Sequence, residues 1–234
     1  IDLNIALANE LAILCDALPH KIDVMEVIKG ANSLKKGMHY VNILYPSIGV
    51  GGYCLTKDPW FLDAIANKLN SKISLPASGR KANELMPKYA FEKVNSFMNK
   101  NFDNHKQKKI AVLGYSFKSD SGDTRFTPMK YFLEYLIKEG YKNIHLFDSM
   151  VDESDIFKSD YLKIHNNYDE CIDGASCLVY GVAHSDIKNI STKKITTLLD
   201  KGALVFDGRL YMDKEDVLDI QNSGIQYMGI GRRF

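Results

Sequence analysis

The stretch Lys109-Ile-Ala-Val-Leu-Gly114 is a short apolar run of the kind that forms a buried strand in a parallel sheet. Comparable runs recur at 143–147, 176–180 and 203–206, and helix-type segments lie between them. The first of these helices starts at Thr127-Pro128, because Thr is a good N-cap and Pro is favoured at the first helical position. This alternation with short connections predicts an α/β fold with a doubly wound, mostly parallel sheet.

Polar segments follow the ends of these strands. Ligands of doubly wound sheets bind beyond the carboxyl ends of the strands. The segments at these ends are 114–125, Asp148, 181–184 and 207–209. We therefore expect the four segments to lie together on one functional rim.

The chain before the sheet is mostly helical. Leucines at steps of three or four predict a first helix that ends near Leu18, because Pro19 disfavours helix in the residue before it. A second helix is expected to start at Asp23 and to end around 30–32. Residues 33–57 are expected to form a loop. The leucines of the first helix are Leu3, Leu7, Leu11, Leu14 and Leu18.

Two more helices are expected in this part of the chain. Asp58-Pro59 resembles a helix start, with Asp as the N-cap and Pro at the first position. The apolar residues that follow, from Trp60 to Leu69, predict that this helix is largely buried. A long helix is expected over 78–100, with a bend at Pro87.

The length of 234 residues fits one large or two modest domains. The polar stretch 99–108 marks a boundary, which predicts a helical domain at 1–104 and an α/β domain at 105–234. The sequence opens at Ile1 inside a helical pattern and without Met. We therefore expect this chain to be part of a longer polypeptide whose N-terminal portion is missing.

The composition is that of an ordinary globular protein. Hydrophobic residues make up 45% and charged residues 25% of the chain, which excludes disorder as the main state. A net charge of +1 gives no general reason to bind nucleic acid or an anionic membrane. No apolar run reaches the length of about 18 residues that crosses a bilayer. The four cysteines form no C-x-x-C pair, so reduced thiols in a cytoplasmic protein are expected.

The segment 45–62 carries the strongest sign of chemistry. Its glycines allow the backbone to approach a ligand closely. Cys54 lies four residues before the predicted N-cap Asp58, and a helix N-terminus stabilises a thiolate. Lys57 adds a positive charge, so the segment offers a nucleophile, a charge stabiliser and a base. Alternatively, Cys54 is a small buried residue, Asp58 is only a helix cap and Lys57 is a solvated charge.

A second candidate site is the segment 114–128, which follows a strand and precedes a helix. It lacks G-x-G-x-x-G and is therefore not the usual pyrophosphate turn of a dinucleotide site. Phe117 could support a base, and Lys118 and Arg125 could contact phosphates. A charged surface loop with Phe117 turned inwards is the alternative. Asp207-Gly208-Arg209 is likewise either a turn or an anion clamp.

The histidines show no metal-ligand spacing, so no metal site is expected and surface or packing roles are favoured. The histidines are His20, His39, His105, His145, His165 and His184. Cys171 and Cys177 flank a helix-to-strand turn and are expected to be buried.

These segments together resemble the nucleotide-sugar (UDP-glucose/GDP-mannose) 6-dehydrogenase family over essentially the whole chain. Asn4-Ile-Ala-Leu-Ala-Asn-Glu-Leu11 is similar to the central helix of that family. Gly49-Val-Gly-Gly-Tyr-Cys-Leu-Thr-Lys-Asp58 is similar to its catalytic cysteine motif. Phe117-Lys-Ser-Asp-Ser-Gly-Asp-Thr-Arg125 and Phe206-Asp-Gly-Arg209 are similar to two signatures of its UDP-binding domain.

The resemblance implies a helical central domain that dimerises, at 1–104, and a Rossmann-like domain that binds a UDP-sugar, at 105–234. It implies an enzyme that oxidises a sugar C6 alcohol to a carboxylate with two NAD and one water. The implied partners are the UDP-sugar substrate and a second copy of the chain, bound through the central helices. Biosynthesis of capsule, lipopolysaccharide or cell-envelope polysaccharide is the implied setting.

The resemblance also implies the residue roles. Cys54 would form a thiohemiacetal and then a thioester, Asp58 would assist proton transfer, and Lys57 would stabilise the oxyanion near the nicotinamide. Arg125 would reach the NAD of a neighbouring subunit. The implied substrate-binding residues are Tyr45, Gly49, Gly51, Phe117, Lys118 and Arg209.

The chain also departs from the family pattern. The NAD-binding domain with its G-x-G-x-x-G turn is absent, and so are the catalytic Lys and Asn that precede the central helix. We therefore expect this chain alone to be inactive. Residues 41–44 and 58–62 favour an N-acetyl-hexosamine substrate, whereas Lys57 is typical of UDP-glucose enzymes. Tyr40 lies where an Arg is common in the first group.

Two other functions stay open on the sequence. One is a non-catalytic module that binds a UDP-sugar and dimerises. The other is an unrelated thiol hydrolase, which would act without NAD, although no His lies near Cys54 in the sequence.

Overall fold

The computed structural model describes residues 1–33 and 42–232. The expectations for Tyr40 and Val41 therefore lie outside the described residues. Four helices come first: α1 (Asp2–Ala17), α2 (Val24–Ala31), α3 (Tyr53–Lys68) and α4 (Leu75–Asn101). Strands and helices then alternate: β1 (Ile110–Leu113), α5 (Pro128–Glu139), β2 (Ile144–Phe147), β3 (Leu162–Ile164), α6 (Tyr168–Ile172), β4 (Cys177–Tyr180), α7 (Ser185–Lys188), α8 (Thr192–Leu198), β5 (Leu204–Asp207), α9 (Lys214–Asn222) and β6 (Gln226–Gly229).

The strands form one sheet in the order β3-β2-β1-β4-β5-β6, and every pairing is parallel. Ile110 of β1 lies opposite Ile144 of β2 on one side and Cys177 of β4 on the other. The chain order therefore reverses at β1, which creates the crevice where doubly wound sheets bind their ligands. The predicted α/β doubly wound fold is confirmed. The sequence reasoning missed the edge strands β3 and β6, which carry weaker apolar runs.

Helices cover both faces of the sheet, which explains why β1, β4 and β5 are buried along their whole length. One core cluster contains side chains of the helical part, such as Ala12 and Met86, together with Val112 of β1. A second cluster joins Leu178 of β4 to the side chains of α6, α8 and α9. The helical part and one face of the sheet therefore share a continuous core.

Local signals set the ends of several helices. Thr127 accepts a hydrogen bond from the N–H of Met129, as the Thr-Pro pattern predicts, and α5 stops at Gly140, whose φ is 101°. Asp23 caps α2 by accepting from the N–H of Met25 at 2.9 Å. The first helix ends at Ala17, close to the predicted end at Leu18.

The sequence-based prediction for α3 was wrong about its start, about the position of Pro59 and about its burial. The helix starts at Tyr53, within the predicted loop, because Gly52 at φ 85° turns the chain into it. Pro59 lies inside the helix and not at its first position. The helix is also largely exposed, since Ala66 is its only buried residue, while Phe61 and Ile65 are more than half exposed. Among the described residues, α4 is the helix that packs on it. The long helix runs over Leu75–Asn101 and so starts three residues before the predicted 78.

No helix within the described ranges is both long enough and apolar enough to span a membrane.

Candidate functional site

The glycine-rich loop before α3 lies on the carboxyl end of the sheet. The N–H of Ile48 donates to the carbonyl of Gly208 at 2.9 Å, and the N–H of Gly52 donates to the carbonyl of Arg125 at 3.0 Å. A Cβ added to Gly51 would lie 2.6 Å from the Cβ of Phe117, so this backbone approaches the rim as closely as only glycine allows. The loop and both predicted signatures of the sheet therefore meet at one place.

A cavity of about 350 Å³ lies where these segments meet. It is open on one side, and its wall combines main chain of the glycine-rich loop with side chains of the rim. All the residues that the resemblance implies for substrate binding line it: Tyr45, Gly49, Gly51, Phe117, Lys118 and Arg209. The remaining lining includes Ile5 of α1 and Leu55 of α3.

Arg209 provides a positive charge at the floor of this cavity. Its Nε donates to the carbonyl of Gly181 at 2.7 Å, and its Nη2 donates to the carbonyl of Phe117 at 3.3 Å. Burial lowers the pKa of Arg209 to about 10, which still leaves it charged at neutral pH. No carboxylate within the described chain forms an ion pair with it. An oriented and unneutralised guanidinium is suited to bind an anion such as a phosphate.

Hydrogen bonds fix the loop that carries Phe117 and Lys118. Oδ2 of Asp148 accepts from the N–H groups of Tyr115 and Ser116, at 2.6 and 3.0 Å, and lies 3.1 Å from Nε2 of His184. Burial opposes the charge of Asp148, but these hydrogen bonds keep its pKa below the ordinary value. Nδ1 of His184 accepts from the N–H of Asp120 at 2.9 Å. His184 is thus buried and bonded into the rim, a more specific role than the packing or surface role expected from sequence.

Cys54 lies in the first turn of α3 and is exposed, so its thiol is open to solvent. This corrects the expectation that it precedes the helix by four residues. The other three cysteines are buried, as expected for Cys171 and Cys177. Burial raises the pKa of the Cys171 thiol to about 12 and also raises the pKa of Cys15 and Cys177. Within this chain, Cys54 is therefore the thiol that is open to a substrate.

Lys57 and Asp58 follow Cys54 on the same helix. Nζ of Lys57 lies 3.6 Å from Oδ1 of Asp58 and 4.8 Å from the ring centroids of both Tyr53 and Phe61. Arg125 is held by the carboxylate of Asp123, which accepts from its Nε at 3.0 Å, and its guanidinium lies 5.9 Å from the ring of Tyr53. The bond to Arg125 lowers the pKa of Asp123.

The predicted catalytic residues and the cavity of Arg209 are adjacent but distinct. Cys54, Lys57, Asp58 and Arg125 do not line the cavity of Arg209. Lys57 lines a second cavity of about 630 Å³, on the aromatic side of α3. Val50 lines both cavities, so the two are neighbours at the glycine-rich loop.

Asparagine side chains of the helical part hold the segment that leads into the site, and sequence reasoning did not identify them. Oδ1 of Asn4 accepts from the N–H of Leu44 at 2.7 Å, and Oδ1 of Asn9 accepts from the N–H of Ser47 at 2.9 Å. Asn9 is fully buried and also donates to Oδ1 of Asn83 at 2.9 Å. Polar residues within the otherwise apolar pattern of α1 were the available signal.

Within the described part of the chain, no group of three or more His, Cys, Asp or Glu side chains is arranged to hold a metal ion. The sheet also lacks the usual turn that binds a dinucleotide. The turn after β1 lacks the G-x-G-x-x-G spacing, and a Cβ on its Gly114 would lie 2.4 Å from the Cβ of Val182. The turn after β1 is therefore not the usual site for a pyrophosphate. Elsewhere in the chain, Lys57 and Arg125 place two cations beside the ring of Tyr53.

The fold and the cavity define a class: a doubly wound sheet joined to helices that place a cysteine-bearing loop over the carboxyl ends of its strands. Two family models agree with this description. The central domain of the UDP-glucose/GDP-mannose dehydrogenase family matches residues 1–85, and the UDP-binding domain of the same family matches residues 111–214. This chain belongs to that family of nucleotide-sugar dehydrogenases, and the resemblance inferred from its motifs is confirmed.

Individual relatives support the same assignment. A UDP-N-acetyl-D-mannosamine dehydrogenase of Methanococcus maripaludis is 36% identical over 208 residues, which are 88% of this chain and 44% of the relative. A UDP-glucose 6-dehydrogenase of Gallus gallus is 28% identical over 98% of this chain and 48% of its own length. The chain thus spans about half the length of the curated relatives that it matches.

Solved structures have the same fold. The UDP-D-ManNAc dehydrogenase of Pyrococcus horikoshii superposes with a TM-score of 0.79 at 30% identity, over 99% of this chain and 49% of that one. An NDP-N-acetyl-D-galactosaminuronic acid dehydrogenase of Methanosarcina mazei superposes with a TM-score of 0.85 at 28% identity, over 99% and 48% respectively.

Proposed function

We propose that this chain is the substrate-binding and cysteine-bearing part of an NAD-dependent UDP-sugar 6-dehydrogenase. The observation that carries the proposal is the cavity where the glycine-rich loop meets Phe117, Lys118 and Arg209. Its glycine main chain, its aromatic ring and its two cations suit a uridine diphosphate. The proposed division is a helical domain at 1–104 and a UDP-sugar-binding domain at 105–234.

In the proposed reaction, the sugar C6 alcohol loses a hydride and a proton to give an aldehyde. The Cys54 thiolate adds to this aldehyde to form a thiohemiacetal, and loss of a second hydride gives a thioester. Water then cleaves the thioester to the carboxylate and releases the thiol. Asp58 assists the proton transfers to and from water, and Lys57 stabilises the oxyanion that develops at C6. The four electrons removed from the sugar go to two NAD.

NAD accepts the hydrides when it is bound. We assign Lys57 to the nicotinamide end of NAD and Arg125 to the NAD of a neighbouring subunit. Both cations lie near the ring of Tyr53. A pyrophosphate turn would have to come from outside the described residues, because the sheet has none. We therefore propose that the 234-residue chain alone does not turn over.

The substrate is proposed to be a UDP-N-acetyl-hexosamine or UDP-glucose, and the product to feed polysaccharide biosynthesis. We also propose a homodimer through the central helices, supported by the exposed leucines of α1. A cytoplasmic location is supported by the four free cysteines, three of which are buried.

The binding part of the proposal is tested on the chain itself. Calorimetry with UDP should show binding, and Arg209→Ala should weaken it at least about tenfold, because an oriented charge-assisted contact is lost. Lys142→Ala is a matched control, since Lys142 precedes β2 and so lies at the amino ends of the strands, away from the cavity. A melting curve for each variant checks folding. No binding of UDP, or equal loss in both variants, would contradict the proposal.

The catalytic part requires a longer polypeptide that carries this chain together with a dinucleotide-binding domain. NADH formation should be measured with UDP-glucose, UDP-N-acetylmannosamine, UDP-N-acetylglucosamine and UDP-N-acetylgalactosamine. Formation of about two NADH per sugar supports the reaction. Binding of UDP without NADH from any sugar would instead support the non-catalytic module.

A further inference from the structure

Arg80 is a fully buried charge that reaches the cysteine loop from α4. Only 1% of it is exposed. Its Nη1 donates to Oδ1 of Asp2 at 2.8 Å, and its Nε lies 3.3 Å from Oε1 of Glu84. A buried guanidinium is costly unless carboxylates and hydrogen bonds compensate it.

Both Nη groups of Arg80 donate to the main chain, on either side of Cys54. Nη1 donates to the carbonyl of Leu55 at 3.1 Å, and Nη2 donates to the carbonyl of Val50 at 3.4 Å. Val50 and Leu55 both line the cavity of Arg209. One planar group thus joins the two ends of the segment 50–55, which contains Cys54.

The carbonyl of Leu55 has a particular need for this donor. In an α-helix the carbonyl of residue i accepts from the N–H of residue i+4, and the residue four positions after Leu55 is Pro59. Proline has no N–H, so it leaves the Leu55 carbonyl without a helical partner. Arg80 supplies a charged donor in its place, which explains how α3 continues through Pro59.

The anchor of Arg80 extends to the segment before the loop. Oδ1 of Asp2 also accepts from Nδ2 of Asn83 at 2.7 Å. Asn83 in turn accepts from Asn9, which holds the N–H of Ser47. A single buried network therefore connects residue 47 with both ends of the segment 50–55.

We infer that Arg80 is a positioning residue that clamps the segment 50–55 and sets the place of the Cys54 thiol, with Pro59 creating the acceptor it binds. This inference rests on the proposed function only where it treats Cys54 as catalytic. The geometry that it predicts for the loop is independent of any substrate.

Hydrogen exchange of the 234-residue chain tests the clamp. Arg80→Lys keeps a positive charge beside Asp2 but cannot reach both carbonyls, so amides of residues 51–58 should exchange at least about tenfold faster, as expected for one lost charged hydrogen bond. Amides of β1 should be unchanged and serve as the internal control. Equal acceleration in β1, or none in 51–58, would overturn the inference.

Rescue by Pro59→Ala gives a readout that general destabilisation would not produce. An alanine at this position restores an N–H for the Leu55 carbonyl, so in the Arg80→Lys background the substitution should recover at least half of the lost protection. The alkylation rate of Cys54 should fall in Arg80→Lys and recover in the double variant. An absence of rescue in both measurements would overturn the role of Pro59.

A third variant covers the case in which Arg80→Lys does not fold. Pro59→Ala alone should slow exchange at residues 55–58, because the Leu55 carbonyl then has two donors, and an unchanged rate overturns the inference. If UDP does not bind but exchange changes as predicted, the proposed function is refuted and the clamp stands. If UDP binds but exchange does not change as predicted, the clamp is refuted and the proposed function stands.

Discussion

At the scale of single residues, position in the fold separates Cys54 from the other three cysteines. Cys15, Cys171 and Cys177 are small buried side chains, whereas Cys54 is exposed in the first turn of α3. A helix N-terminus favours an anion there. The nearest charge on the same helix is Lys57, whose ammonium lies over two aromatic rings. The charge of Lys57 therefore lies between Tyr53, the first residue of the helix, and Phe61.

Lys57→Ala should slow the alkylation of Cys54 about two- to fivefold at neutral pH, since a charge at an exposed helix end contributes about 0.3–1 kcal/mol. Time-resolved mass spectrometry with iodoacetamide measures each thiol separately. Lys68→Ala is the matched control, because it removes the same charge from the last turn of α3. Equal labelling rates at all four cysteines of the unsubstituted chain would contradict a reactive Cys54.

At the scale of elements, the glycine-rich loop depends on having no side chains where it crosses the rim. A Cβ on Gly51 would lie 2.6 Å from both the Cβ of Phe117 and the carbonyl oxygen of Phe126. Neither neighbour is the free end of a flexible chain. The loop can therefore accommodate a side chain only if the sheet rim moves.

Gly51→Ala should lower the free energy of unfolding by about 1–3 kcal/mol, because it overpacks a contact between main chain and core. Gly30→Ala is the control: Gly30 lies in α2 with no atom within 4 Å of an added Cβ. That variant should be neutral or more stable by about 0.5–1 kcal/mol. Urea denaturation of both variants checks the pair, and equal destabilisation would disprove the close approach.

A histidine pair joins the sheet strands β2 and β3. Nε2 of His165 lies 2.8 Å from Nδ1 of His145, and the rings stack at 4.8 Å. Burial, aided by the charges of Lys109, His165 and Lys163, lowers the pKa of His145 from 6.5 to about 4. Burial also lowers the pKa of His165, while Glu170 opposes that shift. The neutral pair is therefore the form that fits the folded sheet.

Stability should fall as pH decreases from 6.5 towards 4, because the unfolded chain takes up the His145 proton at a higher pH than the folded chain. The contribution of neutral His145 to the stability of the fold is complete above about pH 6.5 and is lost near the folded pKa of about 4. Thermal melting of His145→Gln should show a smaller decrease over this window. His20→Gln, at an exposed site, should keep the decrease of the unsubstituted chain.

At the scale of the whole molecule, the helical part leaves an apolar surface uncovered. Leu3, Leu7 and Leu14 of α1 are 45%, 47% and 54% exposed, because the buried side of this helix consists of small and polar residues. Asn9 and Asp16 on that side bind main chain and charged groups of the same chain. The leucine pattern predicted the helix correctly, but Leu3, Leu7 and Leu14 are exposed, whereas Leu11 packs against the core.

Leu7→Glu should convert the proposed dimer to a monomer, since placing a carboxylate in the proposed apolar interface costs about 2 kcal/mol or more. Sedimentation velocity over a range of concentrations measures the change. Leu218→Glu on α9 alters a leucine of similar exposure, 54%, in the other part of the molecule and should leave the dimer intact. A monomeric unsubstituted chain would disprove the proposed dimer through the central helices.

The sequence by itself determined the alternation of strands and helices, the rim segments and the family, because apolar runs, caps and glycine motifs are local patterns. Thr127-Pro128 and Gly140 show how a short-range signal sets a helix boundary. Only the tertiary structure decided where α3 begins, what Arg80 and Asn9 bind, and which leucines are exposed. These depend on contacts between residues far apart in the chain. Within α3, the buried guanidinium of Arg80 replaces the N–H that Pro59 lacks. This distant contact outweighs the local preference of proline for the start of a helix.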